Sequence, residues 1–115
     1  MNSIIFKIVT QSQWQDAELK GEFAGAPIDL ADGFVHLSTA AQVRETASRH
    51  FAGASDLLLA AVNSSAIAAN LKYEPSRGGA LFPHLYASLP LSAVSWVKPL
   101  PLGADGVHVF PEIGN

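Results

Sequence analysis

A histidine and two hydroxyl side chains lie close together in the segment Gly33–Thr39, where they could bind an anion. His36 and Ser38 share one face of a predicted strand, because side chains alternate along a strand. Thr39 follows as the predicted N-cap of a helix, and Gln42 completes a capping box. Unpaired backbone N–H groups collect at a helix N-terminus and favour negative charge. The segment therefore predicts a binding site for an anionic ligand.

A second histidine stands in the aromatic segment Phe82–Tyr86. The proline before His84 stiffens the backbone, so the ring could be aimed at a pocket. Tyr86 could stack on a flat ligand ring, although large aromatic side chains also serve as core. Each histidine has an ordinary alternative: His84 as a loop residue packed on aromatic side chains, and His36 as a hydrogen-bonded core residue.

Glu74 is the acid best placed for chemistry. It ends a short strand predicted at 71–74, beside the glycine-rich loop 75–79, which could admit a ligand. A carboxylate there could act as a general base or stabilise an electron-poor sugar carbon, and the alternative is a solvated strand-end carboxylate. A metal site built from His36 and His84 lacks any H-x-H or H-x-x-x-H pair, so no metal is expected.

Composition restricts the class of protein. The 115 residues predict a single domain, 1–115, and 49% of them are hydrophobic. A net charge of −3, with the seven Lys and Arg scattered, argues against a nucleic-acid surface. The absence of cysteine excludes disulfides, thiolate metal ligands and thiol catalysis. No apolar run is long enough for a bilayer and no signal peptide is evident, so we expect a cytoplasmic protein without membrane contacts.

Hydrophobic periodicity predicts the strands that must position these residues. The runs 4–9 and 57–62 are apolar on both faces, which is typical of central strands. Residues 94–96 should form a later strand, and 107–110 should return antiparallel to it after the Asp105-Gly106 turn. The segment 82–86 is expected to be irregular or a short strand.

Helices are predicted between these strands. One runs from Ser12 to Lys20, with Gln15 completing a capping box, and another runs from Thr39 to Gly53. A further short helix is predicted at 64–70, whereas 22–32 is expected to be a loop. Strands mixed with short helices, without regular βαβ alternation, favour an α+β fold.

The segments Gly33–Thr39 and Phe82–Tyr86, at this spacing, resemble a small bacterial family, domain of unknown function 952, over nearly the whole chain. The resemblance implies an ADP-ribosyltransferase-like fold, a split antiparallel β structure with short helices around a nicotinamide-dinucleotide cleft. A fold likeness does not by itself define an activity.

Transferases of that fold bring three strand motifs to the cleft. By resemblance, Lys7 stands in the first motif, where relatives commonly have histidine, and Ser38 lies nearest to the hydroxyl of the middle motif. Glu74 is the candidate for the catalytic glutamate of the third. In an enzyme of this kind, Glu74 would stabilise positive charge at the ribose carbon as nicotinamide leaves, while His36 and Ser38 orient the ribose hydroxyls.

The resemblance leaves two functions open. In one, the protein binds NAD or a related nucleotide and transfers ADP-ribose, with Glu74 and His36 catalytic; the ligand-binding residues would be Lys7, Ser38, Thr39, His84 and Tyr86. In the other, the same fold is a non-catalytic binding or regulatory module, which the lysine in the first motif favours.

Overall fold

An antiparallel sheet of four strands forms the centre of the fold. The computed structural model describes residues 4–113, and at Arg77 the backbone only. The strand order is β4-β1-β5-β9, with β1 at Ile4–Thr10, β4 at Ser38–Thr39, β5 at Leu57–Asn63 and β9 at Val94–Pro99. β1 and β5 pair along their whole length, from Ile4 opposite Asn63 to Thr10 opposite Leu57. This confirms that the two most apolar runs are central strands.

Two smaller antiparallel sheets complete the β structure. One has the order β3-β7-β6, with β3 at Val35–His36, β7 at Leu81–Leu85 and β6 at Leu71–Pro75. The other pairs β2 at Glu22–Phe23 with β8 at Leu89–Pro90. The short strand predicted at 71–74 is therefore confirmed, and the aromatic segment forms the central strand of a sheet.

The helices are short and lie outside the sheets. They are α1 at Gln11–Lys20, α2 at Pro27–Asp32 and α3 at Val43–His50, with a 3₁₀ segment at Ser64–Asn70 where a short helix was predicted. Thr10 caps α1: its Oγ1 accepts from the N–H of Gln13 at 3.1 Å, and Oε1 of Gln13 accepts from the N–H of Thr10 at 2.9 Å. The capping box thus lies two residues before the predicted one, because Thr10 has the extended backbone that an N-cap needs.

Both faces of the large sheet are covered. On one face β1 packs against α1 and the three-stranded sheet, through Ile5, Val9, Trp14, Val35 and Leu85. On the other face it packs against α3, through Phe6, Ile8, Val43 and Ala47. Because side chains alternate along β1, Lys7 shares the first face and its ammonium lies between the two sheets.

The segment 22–32 is not the predicted loop, since it contains β2 and α2. α2 has Pro27 at its first position, where the fixed φ of proline suits a helix. It ends at Gly33, whose φ of 87° is the left-handed conformation that glycine adopts readily. The buried residue of α2 is Asp29 rather than an apolar side chain, so hydrophobic periodicity gave no sign of this helix.

The segment 33–39 is also not one strand. Gly33 caps α2, β3 joins the three-stranded sheet, and β4 joins the large sheet. Thr39 is not the cap of α3, which starts at Val43 after Gln42, although Oε1 of Gln42 does accept from the N–H of Thr39 at 3.0 Å. The helix N-terminus expected beside His36 therefore lies further along the chain.

Residues 107–110 do not form the predicted hairpin with 94–96; among the described strands, β9 pairs with β5 and lies at the edge of the large sheet. Instead, Leu102 and His108 form an isolated antiparallel bridge. The turn between them is closed by a hydrogen bond of 2.8 Å from the N–H of Gly103 to the carbonyl of Val107. Prolines at 99 and 101 lack the N–H groups that a longer ladder would need. Within residues 4–113, no helix is long and apolar enough to cross a membrane.

Candidate functional site

One face of the three-stranded sheet carries most of the residues that could take part in binding or catalysis. His36 is in register with His84, and His84 with Lys72, so their side chains leave the sheet on the same side. Alternate positions along each strand extend this set. The set includes Phe82, which is buried opposite Glu74. We call its other members the histidine face: Phe34, His36, Lys72, Glu74, His84 and Tyr86.

Phe34 lies at the centre of the histidine face. Its ring centroid is 4.1 Å from that of His84 in a stacked arrangement, 4.6 Å from that of His36 and 5.2 Å from that of Tyr86. The two histidine rings meet edge to face at 5.6 Å. Aromatic contacts of this kind contribute about 0.5–1.5 kcal/mol each beyond their burial. The ring of Phe34 therefore holds the two histidines side by side and covers one face of His84.

His84 is bound to Glu74, which is also bound to Tyr86. Nδ1 of His84 lies 2.8 Å from Oε1 of Glu74, and the hydroxyl of Tyr86 donates to the same oxygen at 2.6 Å. The hydrogen bonds from Tyr86 and then His84 lower the pKa of Glu74, and the bond to Glu74 raises the pKa of Tyr86. Glu74 is therefore a carboxylate at neutral pH.

The ionised state of Glu74 determines the tautomer of His84. A carboxylate can only accept hydrogen bonds, so the proton of a neutral His84 ring is on Nδ1, and Nε2 is an acceptor. His84 is only 5% exposed, and within residues 4–113 its Nε2 has no hydrogen-bond partner. A buried acceptor without a partner is unfavourable, so this nitrogen is a natural contact for a ligand.

His36 is held by a buried carboxylate that was not predicted to belong to the site. Oδ1 of Asp29 lies 2.6 Å from Nδ1 of His36 and accepts from the N–H of His36 at 3.0 Å. Oδ2 accepts from the N–H of Ala26 at 2.8 Å. Nζ of Lys7 lies 3.0 Å from Oδ2 and also donates to the carbonyl of His36 at 2.8 Å. Asp29 thus links α2, β1 and β3.

Burial acts in opposite directions on the two members of this ion pair. It would raise the pKa of Asp29, but the charge of Lys7 and the hydrogen bonds from His36 and Ala26 outweigh it, so the pKa of Asp29 lies below its ordinary value. Burial lowers the pKa of Lys7, and the charge and hydrogen bond of Asp29 offset only part of that effect. The carboxylate is therefore ionised over the physiological range.

The second nitrogen of His36 also faces an acid. Nε2 lies 2.9 Å from Oδ2 of Asp32, at the end of α2, and the His36 side chain is 32% exposed. With carboxylates at both nitrogens, a ring that carries two protons satisfies both contacts. The ring of His36 is therefore suited to donate, whereas Nε2 of His84 is suited to accept.

The structure brings together four of the predicted site residues, His36, Glu74, His84 and Tyr86. The ammonium of Lys7 is close to His36 alone among them, and Lys7 is only 6% exposed, with its ammonium bound to Asp29 and the carbonyl of His36. Their roles towards a ligand remain predictions.

The two predicted hydroxyl residues lie elsewhere. Ser38 is in register with Phe6, so it faces α3, and its Oγ lies 2.9 Å from Oγ1 of Thr46. Thr39 is opposite Ile5 at the edge of the large sheet. The chain changes sheets at Leu37, and this breaks the alternation that was expected to place Ser38 beside His36.

Asp29, Asp32 and Phe34 have no role in the sequence-based predictions. The sequence does contain a signal for Asp29 and Asp32. Pro27 marks the start of a short helix and Gly33 marks its end, and both acids lie between them. For Phe34, the stacking on His84 depends on the pairing of β3 with β7, which no local pattern specifies.

A cleft of about 260 Å³ opens at the Phe34 and Tyr86 end of the histidine face. Leu30 of α2 and Gly33 line its other side. This volume is below the ~300–1,000 Å³ of sites that enclose a whole drug-sized ligand, so it suits one ring-sized group. Among the described side chains, no three His, Asp or Glu residues are grouped as ligands of a metal ion.

The histidine face and the cleft lie within a match to one protein family. The model of the family DUF952, a protein of unknown function, matches residues 8–97, and the chain belongs to this family. Among solved structures, it is similar to the crystal structure of protein CC0527 from Caulobacter crescentus, with 46% identity, coverage of 93% of this chain and 94% of that chain, and a TM-score of 0.89. The solution NMR structure of CC0527 gives 47% identity, coverage of 90% of each chain and a TM-score of 0.82. No curated protein matches the sequence.

Proposed function

We propose that the histidine face and its cleft bind a nucleotide of the NAD type, on an ADP-ribosyltransferase-like fold. The observation that carries this proposal is the convergence of residues from three strands: the rings of His36 and His84 are 5.6 Å apart, and Glu74 is 2.8 Å from His84. Split antiparallel sheets with short helices are consistent with the fold.

The shape of the site suits one flat ring of such a ligand. Phe34 and Tyr86 line the cleft of about 260 Å³ and offer faces for stacking. The rest of a dinucleotide would extend over the exposed part of the histidine face. There the buried Nε2 of His84 would accept from a ribose hydroxyl in the non-catalytic form and from the attacking nucleophile in the catalytic form. His36 would donate to an oxygen of the ligand by exchanging its Nε2 contact with Asp32.

The catalytic form of the proposal uses Glu74 and His84. His84 takes the place of the predicted His36, because both nitrogens of His36 already contact carboxylates. As the bond between the ribose carbon and nicotinamide breaks, the pair of electrons leaves with nicotinamide, and the Glu74 carboxylate stabilises the positive charge on the sugar. Water or another nucleophile then attacks the same carbon, and Nε2 of His84 accepts its proton. The hydrogen bonds from Tyr86 and His84 keep Glu74 negative for this role.

A non-catalytic binding module is the second candidate, and the position of Lys7 favours it. In the first motif of the transferases the polar side chain faces the ligand, whereas Lys7 is buried in an ion pair with Asp29 at 3.0 Å. That position therefore has no group to offer to a ribose. Binding would then depend on His36, His84 and Tyr86, without bond cleavage.

Calorimetry with NAD and an assay for nicotinamide release test both forms. We expect saturable binding, and we expect Glu74→Gln to abolish nicotinamide release while affinity falls by less than about tenfold. Glu45→Gln, on the exposed side of α3, is the matched control. Absence of binding heat at millimolar NAD would reject the proposal, while binding without release by the wild type would support the non-catalytic module.

A further inference from the structure

The other side of the large sheet has a groove of about 410 Å³, between α3 and the C-terminal segment 100–113. We infer that this groove is a second binding site, for a small apolar carboxylate that also carries an N–H or O–H donor. The inference does not rest on the histidine face. Three features of the groove carry it: an arginine and a buried histidine nitrogen that have no carboxylate or hydrogen-bond partner, respectively, among residues 4–113, and apolar walls.

Arg44 supplies the positive charge. Its guanidinium carbon lies over the ring of Phe110, 5.1 Å from the ring centroid, which keeps the charge beside the groove. On the same helix Arg49 pairs with Glu45 at 3.2 Å, but in the described part of the chain no carboxylate pairs with Arg44. A contact with an aromatic ring uses none of the guanidinium N–H groups as hydrogen-bond donors to a carboxylate, and two parallel N–H groups match a carboxylate.

His108 supplies an acceptor. It is 8% exposed, and its Nε2 lies 2.8 Å from the carbonyl of Ala54. A carbonyl only accepts, so Nε2 carries the proton and Nδ1 of the neutral ring is an acceptor. No group within residues 4–113 donates to this Nδ1, and a ligand N–H or O–H would satisfy it.

The walls and size of the groove define the rest of the ligand. Ala47, Val107 and Phe110 line it with apolar surface, and its volume lies within the ~300–1,000 Å³ typical of small-molecule sites. A carboxylate for Arg44, a donor for His108 and a branched apolar group between them describe an N-acylated apolar amino acid. N-acetylleucine has these three parts and is the probe that we propose.

Titration of the full chain with N-acetylleucine, followed by NMR, tests the site. We expect saturable shifts of the His108 ring and of the Arg44 side chain, with those of Phe34 and His84 unchanged. Arg44→Gln should weaken binding by about tenfold or more, since hydrogen bonds to a charged group are lost. Arg49→Gln removes a charge from the same helix outside the groove, and it should bind like the wild type.

Two analogues separate the contributions of the groove. N-acetylleucinamide lacks the negative charge and isocaproate lacks the N–H donor, so both should bind more weakly than N-acetylleucine. Equal binding of either analogue, equal binding by Arg44→Gln, or no saturable binding to the wild type would overturn the inference. Shifts confined to the histidine face would also overturn it, without bearing on NAD binding there.

Discussion

Asp29 is the residue on which the geometry of the histidine face depends most. It is 2% exposed, and its two oxygens accept from His36, Ala26 and Lys7. A buried carboxylate is tolerated only when such partners replace water. Because the same oxygen binds both the ring and the backbone of His36, Asp29 fixes where that ring lies.

Single and double substitutions of the Lys7–Asp29 ion pair should change the free energy of unfolding in a non-additive way. Lys7→Met leaves a buried carboxylate without its cation and should lower the free energy of unfolding by about 3–5 kcal/mol. Combining it with Asp29→Asn should cost less than the sum of the two single changes. Urea denaturation measures these free energies.

Lys20→Met is the control for that cycle. Lys20 pairs with Asp16 at 3.0 Å on the surface of α1, with both side chains 61% exposed, so its loss should cost no more than about 1 kcal/mol. Equal costs for Lys7→Met and Lys20→Met would show that the buried pair does not hold the two sheets together.

The lowered pKa of Asp29 makes its contribution to stability depend on pH. Its folded pKa lies below the unfolded value of about 3.9, so the contribution is complete above that value and is lost as the pH falls through the folded pKa. The difference in unfolding free energy between the wild type and Asp29→Asn should therefore be largest above about pH 5 and shrink below about pH 4. Urea denaturation at several pH values tests this, with Asp16→Asn as control. A difference that stays constant down to about pH 2 would contradict it.

At the scale of helices and strands, the sequence predicts the elements whose buried side chains are apolar. β1 and β5 are such elements, and both lie at the centre of the large sheet. α2 was missed because its buried residue is an acid and its N-cap, Ala26, has no side-chain hydrogen bond. The meeting of His36 with His84 was suggested by family resemblance, but its geometry comes from the register of β3 on β7, and strand register is a property of the whole fold.

The end of α2 provides a test of how that element positions the site. A Cβ at Gly33 would meet no atom within 4 Å, so the cost of Gly33→Ala comes only from its φ of 87°. We expect a loss of about 1–2 kcal/mol, and a smaller loss for Gly33→Asn, because asparagine tolerates the left-handed conformation better. Thermal or urea unfolding measures both. Equal stability of the alanine variant and the wild type would mean that α2 can end in another conformation.

At the scale of the whole molecule, the best-buried sheet and the candidate site are separate. The large sheet has a core on each face, and Leu59, Ala60, Ala61 and Val62 of β5 are fully buried. The three-stranded sheet packs on the large sheet through Val35 and Leu85, while its histidine face is partly open at His36. Binding residues on a less covered sheet can adjust to a ligand while the large sheet stays folded.

Amide hydrogen exchange should reveal this division directly. We expect the amides of β5 that pair with β1, such as those of Ala60 and Val62, to exchange only through global unfolding, because both neighbouring strands and both faces protect them. Amides of β3 and β6 should exchange through smaller openings with weaker dependence on denaturant, since these are the outer strands of a sheet covered on one side. Exchange of β3 as slow and as denaturant-dependent as that of β5 would show instead that the histidine face belongs to the same cooperative unit. In the expected case, a ligand of the histidine face would slow exchange in β3 and β6 selectively, and a ligand of the groove beside α3 would leave both strands unchanged.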